Sequence, residues 1–279
     1  MESIRVEPIL EKLHEGKLIP YLGQGVLDYA GQNSALPANQ MALVESLTAK
    51  SSVPARVRKN LSGAAQFIEN FKHRHTVKKL MTEAFTVEAE ITALHRLVAG
   101  WPNLSMIVHL WYDDVVQHAL AQRSSWGIVQ GVSGAEHNGE WVRCYAPNGS
   151  QVAEEAAMQW KTLLYEPWGS VAPAQNYLVS DSDFVEVLTE IDIQTPIPAQ
   201  VQSIRSGRSF LFLGCRFSTQ LERQFARQIL KRSSDCHWAV FPDEPSRNEE
   251  KFFAEMGIQR VCASLNEFIS ATESALSAQ

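Results

Sequence analysis

KLIPYLGQGVL, residues 17–27, is the stretch on which the reading of this chain turns. Leu18 to Leu22 form an apolar run of strand length that stops abruptly at Gly23-Gln24-Gly25. A strand that runs into a glycine turn is the usual entrance to a ligand-binding α/β domain, because glycines let backbone amides approach a phosphate closely. The third glycine of G-x-G-x-x-G would fall at Asp28 and is absent, so a bare strand-to-helix turn would read the same way. Upstream, Ile9, Leu10 and Leu13 share one face of a short helix that Gly16 ends.

Downstream, residues 40 to 100 read as helices. LSGAAQFIENF puts Leu61, Ala65 (or Ala64), Ile68 and Phe71 on one apolar face. The basic turn KHRHTVKK follows, with His73 and His75 among Lys72, Arg74, Lys78 and Lys79. It reads as a solvated helix face that discourages a divalent cation. A second strand, Met106 to Val108, ends in His109, Trp111, Tyr112, Asp113 and Asp114. Open parallel sheets gather ligand groups at such carboxyl ends, although Asp113 or Asp114 could equally cap the next helix. Residues 131–141, GVSGAEHNGEW, read as a long loop or hairpin.

A third strand, Leu163 to Tyr165, leads into Pro167-Trp168-Gly169-Ser170, and Ser180 to Asp183 start a helix. SFLFLG is a fourth strand ending at Gly214-Cys215-Arg216, and Phe217, Leu221, Phe225 and Ile229 then recur at helical spacing as core contacts. HWAVF and RVCAS are the fifth and sixth strands, separated by a helix over 248–256. Strand and helix alternate, so the class is α/β with a mostly parallel sheet flanked by helices.

Composition narrows the function classes. The 279 residues are 45% hydrophobic and 20% charged, and 25 Lys+Arg against 31 Asp+Glu leave a net charge of −6. No basic excess exists to neutralise phosphates, so nucleic acid is not an expected partner. Apolar runs fall short of the roughly 20 residues of a membrane helix, and MESIRVEP lacks the apolar stretch of a secretory signal. The expectation is a cytoplasmic protein with no membrane partner. Cys144, Cys215, Cys236 and Cys262 lie far apart without a C-x-x-C pair, which reads as isolated reduced thiols and no metal centre.

Four segments, taken in order, resemble the bacterial sirtuin-like family. LIPYLGQGVL is similar to the family's opening L-x-P-x-L-G-A-G-V-S, and TALHRLVAGWPNLSMIVHLWYDD to the stretch ending in T-T-N-Y-D. LLYEPWGSV is similar to the K-x-H-G-S segment, and FLFLGCRFSTQLERQF to the late strand and glycine turn that holds the adenosine half. The resemblance implies one Rossmann-like NAD-binding domain over residues 1–279, with a helical insertion at about 40–100 and a loop or hairpin insertion at about 122–160. It assigns nucleotide contacts, to NAD or ADP-ribose, to Gly23, Gln24, Gly25, Tyr112, Asp113, Trp168, Gly169, Gly214 and Arg216.

The departures fall on the chemistry. Trp111 stands where the family has the Asn of T-T-N-Y-D, and Trp168 where it has the His that acts as general base. Gln24 replaces the small Ala between the glycines, and Leu27 the Ser. An indole cannot accept a proton near neutral pH, and losing a positioned base costs about 10²- to 10⁴-fold in rate. His109, where the family has its first Thr and four residues before Asp113, is the candidate replacement base with Asp113. A hydrogen-bonded structural histidine is the plainer reading. Trp111 and Trp168 either stack on a ligand ring or plug a vacated pocket, and Arg216 pairs with a phosphate or is a helix-end residue paired with Glu222 or solvent. Trp126, Trp141 and Trp160 read as packing for the inserted hairpin or a subunit contact. Three functions follow: a nucleotide-binding sensor or regulator with lost or much weakened catalysis, an NAD hydrolase of the bacterial-defence kind that releases nicotinamide, or a scaffold without ligand. The sensor reading leads, with a second copy or a separate protein as its partner. Deacylation ranks lower because the cysteine spacing offers no zinc module.

Overall fold

Five consecutive buried residues make β1 (Leu18–Leu22) a central strand with no solvent face. Strands covered on both faces read as continuous apolar runs, which is how a parallel sheet sandwiched by helices appears in sequence. A computed structural model describes residues 4–28, 35–134, 139–193 and 197–277. Its elements begin with α1 (Glu7–His14), β1, α2 (Gly25–Asp28), α3 (Gln40–Lys50), α4 (Leu61–Phe85) and α5 (Ala93–Ala99). Next come β2 (Met106–His109), α6 (Val115–Leu120), β3 (Trp126–Gly131), β4 (Val142–Tyr145), β5 (Gln151–Val152), α7 (Glu154–Ala157) and β6 (Thr162–Glu166). β7 (Gly169–Ser170), β8 (Asn176–Tyr177), α8 (Asp181–Ile193), α9 (Ala199–Arg205) and β9 (Ser209–Leu213) follow. The chain closes with α10 (Gln220–Leu230), β10 (His237–Val240), α11 (Arg247–Met256), β11 (Ile258–Val261) and α12 (Leu265–Ser277).

The main sheet runs β11-β10-β9-β1-β2-β6-β3-β4-β5, parallel from β11 to β3 and antiparallel in the last two pairings. This is the expected α/β, Rossmann-like architecture. β1 sits between β2 and β9, so the chain leaves it towards one side and later returns to the other. Crevices for ligands open where the strand order reverses in this way.

Alternation along the strands builds two cores. Ile19, Tyr21, Val108, Leu163, Tyr165, Phe210 and Phe212 face one layer, which also takes apolar residues of α3, α4, α10 and α11. Leu18, Leu22, Ile107, Leu164, Leu211 and Leu213 face the other, against α1, α5 and α12. α10 shows why its stripe buries: Phe225, Ala226, Ile229 and Leu230 lie on one face, and a capping box between Thr219 and Glu222 fixes its start.

Four details differ from the sequence expectations. Leu61, Ala65 and Ile68 are buried, but Phe71 is 71% exposed and stacks on Phe67 instead. The break lies at His73, whose φ of 67° interrupts α4. Arg74 leaves the solvated face, because its guanidinium reaches Asp183 at 2.8 Å and Glu69 at 3.1 Å. β3, inside the stretch expected as an inserted hairpin, joins the main sheet beside β6, with Trp160 closely packed over Gly127. The last strand begins at Ile258 rather than Arg260, because Gly257 ends α11 in a left-handed conformation. Part of the loop between β3 and β4 lies outside the described residues.

A buried ionic cluster ties together the ends of β2 and β6. His109 Nε2 lies 3.4 Å from Asp113 Oδ2, and its Nδ1 lies 3.7 Å from Glu166 Oε1. All three residues are buried. Gln117 and Gln130 donate to Glu166, and both also reach the Ala172 carbonyl. Burial alone would lower the His109 pKa, but the Asp113 and Glu166 carboxylates outweigh it and raise it from 6.5 to about 9. Burial works against ionising Asp113, yet His109 holds it below its ordinary value. A raised histidine stabilises the fold fully below its unfolded value and loses that contribution as pH rises through the folded one. Between pH 6.5 and 9.5 the wild-type melting temperature therefore falls relative to that of His109→Gln, whose profile is flatter. At pH 7 the variant is less stable by about 3–5 kcal/mol, the cost of breaking a buried pair. Melting curves across that window check both, and parallel profiles would contradict the pairing.

Candidate functional site

The ends of β1 and β9 meet backbone to backbone. The Gly23 N–H donates to the Leu213 carbonyl and the Gly25 N–H to the Gly214 carbonyl, both at 2.9 Å. A Cβ on Gly23 would come within 2.6 Å of the Gly214 oxygen. Gly214, with φ of +64°, would place a Cβ 2.5 Å from the Val26 nitrogen. These glycines are required by the close approach of two turns, and the Gly23 and Gly25 amides are spent on the chain itself rather than turned to a phosphate.

A small cleft opens beside this contact, at the reversal of strand order. Tyr21, Gly23, Gln24, Leu110, Trp168, Cys215, Arg216, Phe217 and Glu222 line it, and the space enclosed is about 30 Å³. That is room for a water-sized group, so a dinucleotide does not fit the cleft as it stands. The floor is apolar and rigid. Trp168 stands edge-on to Phe184 and Phe225, with ring centroids 5.5 and 5.7 Å away, and stacks on Tyr112 at 6.2 Å. Its buried Nε1–H has no acceptor among the described residues.

The rim is polar. Gln24 Oε1 accepts from the Gln40 N–H at 2.8 Å, while the Gln24 and Gln40 side-chain amides reach Glu222 Oε1 at 3.5 and 3.3 Å. Glu222 Oε2 is occupied with the cap of α10, accepting from the Thr219 N–H and hydroxyl at 3.0 Å. Burial raises the Glu222 carboxyl above its ordinary range. Burial, assisted by Glu222, also holds the Cys215 thiol and the Tyr21 phenol neutral, far above their usual values. Arg216 is half exposed, pairs with Asp243 and lies over the Phe241 ring, its Cζ 5.2 Å from the centroid.

The sequence-derived candidates are only partly brought together. Gly23, Gln24, Trp168 and Arg216 line the cleft, and Gly25 and Gly214 shape the turns behind it. Tyr112 is buried one layer deeper, its hydroxyl donating to the Leu178 carbonyl at 2.8 Å. Trp111 plugs the neighbouring core and donates from Nε1 to the Pro37 carbonyl at 2.8 Å. Gly169 is held in a left-handed turn, where a Cβ would meet the Asn176 oxygen at 2.1 Å.

His109 and Asp113 are not at the cleft. His109 shares the strand face of Ile107, opposite to Leu110, which lines the cleft, and its raised pKa keeps it cationic at neutral pH. Arg216 pairs with Asp243, a partner that the sequence reading did not name. Reading the chain missed Tyr21, Leu110, Cys215, Phe217 and Glu222 as cleft residues. The capping box Ser/Thr-x-x-Glu over Thr219–Glu222 was the available signal for the last.

Among the described residues, no cluster of three His, Cys, Asp or Glu could hold a metal ion, and no helix is long and apolar enough to cross a membrane. No curated protein matches the chain. Residues 105–261 match the SIR2-like domain, and the match covers more than half of the chain, from the start of β2 to the end of β11. The chain belongs to the SIR2-like family.

Proposed function

We propose that this protein binds NAD or a related ADP-ribose nucleotide without cleaving it, and acts as a sensor or regulator through a second protein or a second copy. The observation that carries the reading is the cleft at the strand-order reversal, one of whose lining residues, Trp168, keeps a buried indole N–H without a partner. A buried polar group without a partner costs about 1–3 kcal/mol, a cost that a ligand acceptor would remove and a bare scaffold would keep. Arg216 supplies a cation beside the glycine turns, where the surface pair with Asp243 exchanges readily for a phosphate. Gln24 and Glu222 supply amide and carboxylate groups suited to sugar hydroxyls.

Loss of catalysis rests on what the cleft lacks. No histidine lines it among the described residues, Trp168 cannot accept a proton, and Glu222 is tied up in the helix cap and the two glutamine amides. His109, the base suggested by the sequence, lies on the other face of the sheet. Binding requires the rim to open, which means breaking the long contacts between Glu222, Gln24 and Gln40.

The reading predicts that ADP-ribose raises the melting temperature by several degrees when present at about 100 times its dissociation constant, equivalent to about 2.7 kcal/mol. Arg216→Ala reduces that shift. In the same preparation, nicotinamide release from NAD stays at the level of a protein-free control. Release well above that level, measured chromatographically, would sink the non-catalytic reading.

A further inference from the structure

We infer that copies of this chain associate head to tail, the exposed Phe71 face of α4 on one copy docking in an acid-rimmed groove beside α7 on the next. The inference does not depend on nucleotide binding.

The projecting surface starts from a strained backbone. His73, inside α4, has φ of 67° and ψ of 156°. Residues with a Cβ hold that combination only where the surrounding structure imposes it, and such strain clusters at functional segments. Beside the break, Phe71 is left 71% exposed, with Phe67 packed on its ring at a centroid distance of 4.4 Å. Lys72, His73, His75 and Lys78 follow it and are all exposed. None of the four has an ion pair among the described residues, whereas Arg74 between them is turned inward to Asp183.

The receiving surface lies at the β5 edge of the sheet. Trp141, Cys144, Val152, Ile197 and Pro198 line a groove of about 420 Å³, with Glu154 among them. A cavity of roughly 150 Å³ holds a benzene-sized ring, so the groove has room for the Phe71 side chain. Glu154 and its neighbour Glu155 are exposed and likewise have no ion pair among the described residues. Met158, one turn further on, is 71% exposed and adds apolar surface at the same place.

Each surface supplies what the other lacks. An aromatic side chain seated in a desolvated recess is the usual anchor of a protein interface. Opposite charges around it, Lys72 and Lys78 against Glu154 and Glu155, fix the register and disfavour other pairings. Both halves are carried by one sequence, so a second copy meets the whole requirement. Because the two surfaces differ, the contact is heterologous and copies add in one direction.

Analytical ultracentrifugation of the full chain over a concentration series tests this. The wild-type chain is expected to associate, and Phe71→Ser to weaken association about tenfold or more, as truncating a central aromatic anchor does. Lys72→Glu/Lys78→Glu and Glu154→Lys/Glu155→Lys are each expected to be monomeric alone, because like charges then face one another. Mixed in equal amounts, the two variants regain association: reversed face meets reversed groove, and intact face meets intact groove. Recovery in the mixture also shows that both variants are folded. A wild-type chain that stays monomeric would overturn the inference and leave the Phe71 face to a different, acidic protein. Association that Phe71→Ser and the charge reversals leave unchanged, or a mixture that stays monomeric, would overturn it as well.

Discussion

Two glycine turns pressed together at the ends of β1 and β9 set the geometry on which the rest of the site depends. Because Gly23, Gly25 and Gly214 carry no Cβ, two backbone hydrogen bonds of 2.9 Å lock the turns at a separation that side chains would forbid. That lock places Gln24 above the cleft and Arg216 at its side, and it brings the first turn of α10 close enough for Glu222 to reach both Gln24 and Gln40. It also consumes amides that a glycine turn could offer to a phosphate. Under the proposed nucleotide-binding function, anion recognition then falls to a side chain, Arg216, rather than to the backbone.

The second constraint is aromatic volume. Trp111 and Trp168 stand where the family resemblance places a polar residue and a base, and both are buried in the core, with Trp168 also forming part of the cleft wall. Each buried aromatic side chain of this kind stabilises the fold by about 1.5–3 kcal/mol through apolar burial. Packing at these two positions therefore contributes to the stability of the fold where the resemblance places polar residues. The titratable groups that remain have gone elsewhere. His109, Asp113 and Glu166 form a cluster beneath the opposite face, joining the ends of β2 and β6.

Much of the fold was legible in the chain, because period and punctuation are local. LIPYL, SMIV, TLLYE and SFLFL are apolar runs of strand length, and the glycines after β1 and β9 mark the turns. α10 announces itself through a capping box and an apolar stripe. β3 was harder to read, since WGIVQG sits beside a long polar loop and owes its place to pairing with β6, a partner some 35 residues away in sequence. The exposure of Phe71 and the pairing of Arg74 with Asp183 follow from a kink at His73 that helical periodicity does not contain. At the site, the glycines, Gln24, Trp168 and Arg216 could be read from strand-end position. The sidedness of His109 could not, because the face on which it falls follows from pleat alternation only once the partner layers are known. Glu222 was hidden for a related reason: as a capping residue it looks fully explained by its own helix.

The most direct test of this account is a crystal structure of the protein with ADP-ribose. The account predicts the sugar–diphosphate between Gln24, Arg216 and Glu222, and the Trp168 ring unmoved within its aromatic cluster. Nucleotide bound at another surface, or Trp168 swung out to admit a ring into the space beneath Gly23, would contradict it.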